Sequence, residues 1–342
     1  VQEHNPEKTS LVANLALHCM EQVLISVVCP VYHGEMFLGE LIEKLDAERA
    51  SMSKDYPQIE LREVIFVVDD AQDGSRGIIA AQQKERSWIR LIDLSNNFGQ
   101  HAATIAGILH SSGDWIFTID EDLQHDPKHF VAMLKNCVSA SDDICYASSQ
   151  HGAHGSFLRD RISVWFKFLM AFLLQDKGIR KFYSYRLIRG SIARAAAAVA
   201  GPGTYLDMAL LWFTKRSVQY KTEMTDFRYQ SDSRSSGYGI WSLVRHAKRL
   251  IFSSNLQFLR IGLVVGLGLL VLGLLIWLGS VLSLFPSISI EFAAMLSLGG
   301  IITLFLGFLI EISAQLLLHS KGKPTFFAVN RDQDDALRKM FE

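Results

Sequence analysis

The chain has 342 residues, and its 34 Lys and Arg nearly balance 35 Asp and Glu, for a net charge of −1. That balance excludes the broad basic footprint of a nucleic-acid-binding protein, and the length allows one large domain or a domain with an appendage. The four cysteines, Cys19, Cys29, Cys137 and Cys145, contain no Cys-x-x-Cys pair, so no disulfide framework is expected and a reducing compartment fits.

In chain order, residues 1–22 read as a tail. Their one apolar patch, Leu11 to Met20, has only Lys8 as a basic residue before it, which is not the pattern of a signal peptide. Strand and helix signals then alternate. An apolar strand over 24–29 leads into Pro30-Val-Tyr32-His-Gly and a helix to about residue 50. A strand over 64–68 ends in Asp69-Asp70, and a helix over 77–85 follows. A third strand over 89–94 precedes a helix over 101–110. A strand over 116–119 and another over 143–147 complete the pattern. Such alternation predicts an α/β domain with a mainly parallel sheet covered on both faces. Ligands of such sheets bind beyond the carboxyl ends of the strands. Pro30, Tyr32, Asp69, Asp70 and the acidic run at 120–124 all fall at such ends.

The acidic run carries the chemistry. Trp115-Ile-Phe-Thr-Ile-Asp120-Glu-Asp122-Leu-Gln124-His-Asp-Pro127 is an apolar strand that breaks into alternate oxygen donors. On extended backbone, alternate side chains share one side, so Asp120, Asp122 and Gln124 are expected to converge. Three oxygen donors suit a hard cation, Mg²⁺ or Mn²⁺, which keeps other positions for waters and phosphate oxygens. That chemistry fits a nucleotide diphosphate leaving group. The plainer reading is that the acids only begin a turn, with Asp126-Pro127 capping the next helix. His101, His125 and His151 match no zinc spacing and read as surface or supporting residues.

The rest of the chain points to a bilayer. Segments 157–174 and 240–258 mix basic and large apolar residues, as interfacial amphipathic helices do. No charged residue occurs from Ile261 to Ile290, or from Phe292 to Ile310. A span needs roughly 20 apolar residues to cross about 30 Å of hydrocarbon. Transmembrane helices are therefore predicted over about 259–284 and 292–318, with Phe285-Pro286-Ser287 as the turn between them and 319–342 as a tail. Arg245, Lys248, Arg249 and Arg260 precede the first span, and Lys321, Lys323 and Arg331 follow the second. The loop between has no Lys or Arg. This places the domain over 23–239 and both termini in the cytoplasm. Gly266, Gly268 and Gly273 in one span and Gly299, Gly300 and Gly307 in the other allow close approach, within the hairpin or between copies. Glu311 is a carboxylate within or at the end of the second span.

Several motifs in fixed order resemble a known family. They are Ser26-Val-Val-Cys-Pro30-Val-Tyr32, Val68-Asp69-Asp70 with Asp73-Gly74-Ser75, Leu94-Ser-Asn-Asn97-Phe-Gly99-Gln-His, Asp120-Glu-Asp122-Leu-Gln124-His and Ser184-Tyr-Arg186-Leu-Ile-Arg189. Followed by a membrane hairpin, they resemble family 2 glycosyltransferases of GT-A fold. The likeness is to the polyprenyl-phosphate glycosyltransferases, which include dolichyl-phosphate mannose synthases and GtrB-like bacterial enzymes. The resemblance implies that Asp120 and Asp122 are catalytic and, with Gln124, hold the metal. It implies that Pro30, Tyr32, Glu35, Asp69 and Asp70 bind the nucleotide sugar. It assigns Arg159, Ser163, Arg234 and Ser236 to the lipid phosphate, and Arg186 to a possible diphosphate or phosphate contact. Here Asp69-Asp70-Ala71-Gln72-Asp73 replaces the family's usual Asp-Asp-Gly-Ser-x-Asp.

The implied reaction is inverting, metal-dependent transfer of a sugar from a UDP- or GDP-linked donor to undecaprenyl or dolichyl phosphate. A bacterial inner membrane is the expected setting and a homo-oligomer the expected state. A processive polysaccharide synthase shares the fold, but its Gln-x-x-Arg-Trp motif is absent from the sequence. A degenerate domain serving as a membrane scaffold is the non-enzyme alternative.

Overall fold

The computed structural model describes residues 22–149, 181–201, 204–222, 261–282, 290–320, 322, 328 and 333–341. The chain winds through β1 (Val23–Val31), α1 (Leu38–Asp55), β2 (Ile59–Val68), α2 (Ser75–Glu85), β3 (Ile89–Asp93), α3 (Gln100–Leu109) and β4 (Trp115–Thr118). A 3-10 turn at Pro127–His129 precedes α4 (Phe130–Ser139) and β5 (Ile144–Ser149). Then come β6 (Arg186–Arg189), α5 (Gly190–Val199), α6 (Leu206–Phe213) and β7 (Ser217–Thr222). Helices α7 (Ile261–Val281), α8 (Ile290–Ser320) and α9 (Asp334–Phe341) complete the described elements.

The seven strands form one sheet in the order β3-β2-β1-β4-β6-β5-β7. Strand β6 alone runs against the others. This is the mainly parallel GT-A-type sheet that the sequence predicts. Strand β1 is buried almost throughout and reads as a continuous apolar run, as a strand covered on both faces must. Its alternate residues divide between two cores. Val23, Ile25, Val27, Cys29 and Val31 pack with residues of α1, α2, α4 and α9, while Val28 packs with residues of α3, α5 and α6. Gly107 in α3 admits the close approach of that helix, since a Cβ there would stand 2.3 Å from Val28 Cγ1.

Strand β2 begins at Ile59, earlier than its apolar run suggests, because polar residues occupy its first half. Arg62 faces solvent, while Glu63 is buried and pairs across to Ser26 of β1. Ser26 Oγ donates to Glu63 Oε1 at 2.8 Å, and Ser112 donates to the same oxygen from its backbone N–H and its hydroxyl. Arg90 pairs with the other oxygen.

Helices α7 and α8 are long and apolar enough to cross a membrane, over Gly262–Val281 and Ile290–Leu317. Only 17% of each apolar window is buried, so these are not core helices of a soluble domain. Val264, Leu275, Phe305 and Leu309 are among many large apolar side chains turned outward, a surface suited to lipid. The two helices pack on their glycine faces. A Cβ at Gly266 would lie 2.7 Å from Leu304 N, and one at Gly300 would lie 2.5 Å from Leu270 N.

Part of the expected C-terminal tail is instead a docked helix. Leu337 and Phe341 of α9 belong to the main core, beside Tyr56. Asp334 accepts both bonds of a bidentate pair from Arg189 Nη2 at 2.9 Å. Arg189 Nε also donates to Asp143 at 3.0 Å, and its guanidinium lies over the Trp115 ring.

Candidate active site

The strand order reverses between β1 and β4, which lie side by side and end at Val31 and Thr118. A crevice outside such a reversal is where open α/β sheets bind ligands. Antiparallel β6 starts at the same end, with Arg186 opposite Thr118, so Ser184 and Tyr185 reach the crevice as well.

After Thr118 the chain leaves the sheet. Residues 120–124 form a turn, with Leu123 at φ 62° in the left-handed region. The alternation expected of an extended strand therefore does not govern Asp120, Asp122 and Gln124; the turn does. Asp122 is buried, and its Oδ1 accepts the Gln124 N–H at 3.2 Å. Gln124 is half-buried. The plainer reading also holds one element correctly, since Asp126 caps the 3-10 turn by accepting the Lys128 N–H at 3.1 Å.

Asp120 is held from three sides. Gln100 Nε2, at the start of α3, donates to Oδ1 at 2.5 Å, and Ser184 Oγ donates to Oδ2 at 2.9 Å. Its backbone N–H donates to His125 Nδ1 at 2.9 Å. With Nδ1 an acceptor, the ring proton sits on Nε2, which lies 3.7 Å from Asp120 Oδ2. His125 is buried and stacks on Tyr185 at 4.7 Å. Burial holds its imidazole below the usual pKa, against the pull of Asp120 and with the Arg186 guanidinium adding to the depression. His125 is thus a neutral support beneath the acidic turn. Gln100, Ser184 and His125 stand within the quoted motifs, but no spacing rule marks them as partners of Asp120.

The expected nucleotide residues divide into two kinds. Pro30 lies buried near the end of β1, whereas Tyr32 is 42% exposed, its ring 4.1 Å from that of His33. Asp70 is exposed, with φ 54°, and accepts from Gln72. Asp69 is buried, and its two oxygens accept the N–H groups of Phe98 and Gly99 at 2.8 and 2.7 Å. Its carboxylate fixes the loop before α3. Glu35 likewise accepts the Gly74 N–H at 2.9 Å, tying the loop after β1 to the loop after β2. A Cβ on Gly74 would stand 2.6 Å from that carboxylate.

Arg186 departs from expectation. It is buried and ion-paired with Asp207 of α6, which also accepts from Tyr146 Oη at 3.1 Å. Burial would lower its pKa, but Asp207 raises it and keeps the guanidinium charged. Its guanidinium is thus engaged in a buried ion pair. Arg159, Ser163, Arg234 and Ser236, with both interfacial segments, lie outside the described residues. Cys29 is no nucleophile, because burial pushes its thiol well up and Glu121 and Asp120 push it further.

The donor set fits a hard cation. Among the described residues no group of three or more His, Cys, Asp and Glu side chains forms a metal cage. Two carboxylates in one turn instead match a cation that shares its coordination with substrate phosphates and water. A groove of about 400 Å³ lined by Arg49, Ser53, Lys54 and Glu60 lies at the start of β2, the opposite end of the sheet, away from this chemistry.

Residues 26–195 match the family model described as "Glycosyl transferase family 2". Two curated relatives are each an "Undecaprenyl-phosphate 4-deoxy-4-formamido-L-arabinose transferase". The protein of Edwardsiella ictaluri is 27% identical over 229 residues, 64% of this chain and 64% of its own. That of Aeromonas hydrophila subsp. hydrophila is 26% identical over 253 residues, 71% of each chain. The chain thus spans less than two thirds of the length of the first. Among solved structures, glucosyl-3-phosphoglycerate synthase from Mycobacterium tuberculosis is 16% identical, with a TM-score of 0.45, over 70% of this chain and 80% of that one. Residues 26–195 of the chain are thus a glycosyl transferase family 2 domain.

Proposed function

We propose that the chain transfers a sugar from a nucleotide diphosphate sugar to a membrane polyprenyl phosphate, with inversion at the anomeric carbon. The observation that supports this reading is the turn beyond β4, in which Gln100 and Ser184 hold the Asp120 carboxylate and Asp122 follows two residues on. Undecaprenyl phosphate is the favoured acceptor, because the two curated relatives are named for it.

Asp120 and Asp122, with Gln124, would hold Mg²⁺ or Mn²⁺. When bound, the cation supplies charge neutralisation for the departing diphosphate. Gln100 and Ser184 fix the Asp120 carboxylate in advance, so no reorganisation is needed as that charge develops. Tyr32 offers an exposed ring to the base, and Asp70 an exposed carboxylate to a base N–H. The acceptor phosphate is already anionic at neutral pH and needs positioning more than deprotonation. Arg159, Ser163, Arg234 and Ser236 take that role by resemblance, and the arginines would offset repulsion between the two phosphate groups.

Both ends of the membrane hairpin lie on the side of the catalytic domain in this reading. Charge asymmetry around the spans supports it. So does α9, which follows α8 in the chain yet packs on α4 and the main core. Gly268 and Gly299, where a Cβ would meet nothing within 4 Å, leave room for a second copy in the membrane.

The test is a panel of radiolabelled UDP- and GDP-sugars incubated with undecaprenyl or dolichyl phosphate and the full chain. A lipid-extractable labelled product with one donor is expected. Label released only as free sugar, or built into a polymer, contradicts the reading.

A further inference from the structure

Glu121 stands between Asp120 and Asp122, yet its carboxylate binds the loop after β1, whereas Asp120 is held by Gln100 and Ser184. Oε2 accepts the Tyr32 N–H at 2.9 Å, and Oε1 accepts the His33 N–H at 3.1 Å. Two successive amides of the loop after β1 are thus clamped by the middle residue of the acidic turn, 89 and 88 positions away in sequence. Gly34 completes the fit. A Cβ there would stand 2.8 Å from Glu121 Oε2 and 3.1 Å from Leu38 Cγ. The far side of the same loop is tied to the loop after β2, through Gly34 N–H to Ser75 Oγ at 3.1 Å and Glu35 to Gly74.

We infer that Glu121 is a positioning residue that registers the Tyr32 loop against the Asp120–Asp122 turn. The deduction rests on the proposed reading of the crevice. In that reading Tyr32 meets the nucleoside end of the donor and the two aspartates meet its diphosphate end. The donor's covalent structure limits the distance between these ends. A protein that binds both ends must hold its two loops at a matching spacing. No backbone ladder links them, because both loops lie beyond the last paired residues of β1 and β4. The Glu121 carboxylate supplies the link with two charge-assisted hydrogen bonds, which are stronger than neutral ones. A small residue at this position would leave the acidic turn intact and the loop free to drift.

The test uses purified full chain and the variants Glu121→Ala and Glu121→Gln, with UDP and GDP as probes. Nucleotide binding is measured by calorimetry with Mn²⁺ present, and Mn²⁺ binding alone by electron paramagnetic resonance. Loss of both bonds in Glu121→Ala should weaken nucleotide binding roughly 10- to 100-fold. Glu121→Gln should fall between, because an amide oxygen accepts while its NH₂ does not. Mn²⁺ binding without nucleotide should stay near wild type in both variants. Amide exchange should quicken at Tyr32 and His33 while the strands of the sheet stay protected. Gly34→Ala should bind nucleotide better when combined with Glu121→Ala than alone, because the overlap with Oε2 is gone.

Equal nucleotide binding by wild type and Glu121→Ala overturns the inference alone. Loss of Mn²⁺ binding in step with nucleotide binding overturns it too, because Glu121 would then be a ligand of the cation. Wild-type protein that binds neither UDP nor GDP with Mn²⁺ overturns the reading of the crevice itself.

Discussion

Ser184 Oγ and Asp120 Oδ2 lie 2.9 Å apart although 64 residues separate them in sequence. The contact exists because β6 runs antiparallel to β4 and delivers its leading residues to the end of the sheet where β4 releases the acidic turn. Ser184 also offers its carbonyl to Thr118 Oγ1 at 2.5 Å, so the same residue anchors the last turn of strand and the first ligand candidate after it.

Ser184→Ala should therefore loosen Asp120 without unfolding the sheet. One hydrogen bond to a charged group contributes about 1.5–3 kcal/mol, so turnover should fall roughly 10- to 100-fold. Apparent affinity for Mn²⁺ should weaken in parallel. Metal titration of transfer, wild type against variant, reads both effects. Unchanged metal dependence would mean that the bond does not orient the carboxylate.

The Arg186–Asp207 pair is a stability element. Asp207→Ala should leave a buried guanidinium uncompensated and destabilise the domain by about 3–5 kcal/mol. Replacing both partners by apolar residues, Arg186→Met with Asp207→Leu, should cost much less than the single change. Thermal unfolding in detergent separates the two outcomes. If Arg186→Met alone spares the fold but abolishes nucleotide binding, Arg186 is a phosphate ligand after all.

Helix α9 should fasten the catalytic domain to the end of the hairpin. Leu337→Ala removes a fully buried side chain and should cost about 2–5 kcal/mol. Arg338 Nη2 donates to Ser141 Oγ at 2.6 Å. Cysteines placed at 141 and 338 should therefore be joined by a short bismaleimide within a single chain in intact membranes. Labelling of the two cysteines from opposite sides of the membrane would refute the shared location.

Glu63 gives the domain a pH dependence of definite sign. Burial raises its pKa, but hydrogen bonds from Arg90, Ser112 and Ser26 outweigh burial and bring it below the usual 4.5. A carboxyl depressed on folding stabilises the folded state above its unfolded pKa. That stability is lost as pH falls through the folded value. Melting temperature should drop on acidification below about pH 4.5, and Glu63→Gln should flatten that part of the profile. A variant whose profile still overlays wild type would remove Glu63 from the account.

Periodicity carried most of the fold. Apolar runs such as Val27–Val31 and Val64–Val68 are buried on both faces, so hydrophobicity alone marks them as central strands of a parallel sheet. The two long uncharged runs declared α7 and α8 just as directly. Helix α9 was not legible, because its apolar residues, Ala336, Leu337, Met340 and Phe341, sit in a short charged segment whose docking partner lies near residues 135–141. The candidate site was legible only by residue type. Asp69 and Glu35 are expected ligands by resemblance, and Glu121 stands inside the acidic run, yet each satisfies backbone N–H groups of a neighbouring loop. Arg186 looked available and is buried. Long-range hydrogen bonds decide these roles, and local sequence does not encode them.

The central claim is that Asp120 and Asp122 hold a cation against the donor diphosphate. The most direct measurement is transfer from a labelled nucleotide sugar to undecaprenyl phosphate, by wild type and Asp122→Asn, across a Mn²⁺ titration that starts in EDTA. Asparagine keeps the shape and can still accept the Gln124 N–H, so folding should survive. Wild type should be inactive in EDTA and recover with Mn²⁺, while Asp122→Asn should remain roughly 100- to 1000-fold slower at every concentration. Full wild-type turnover in EDTA, or a variant as fast as wild type, would contradict the account.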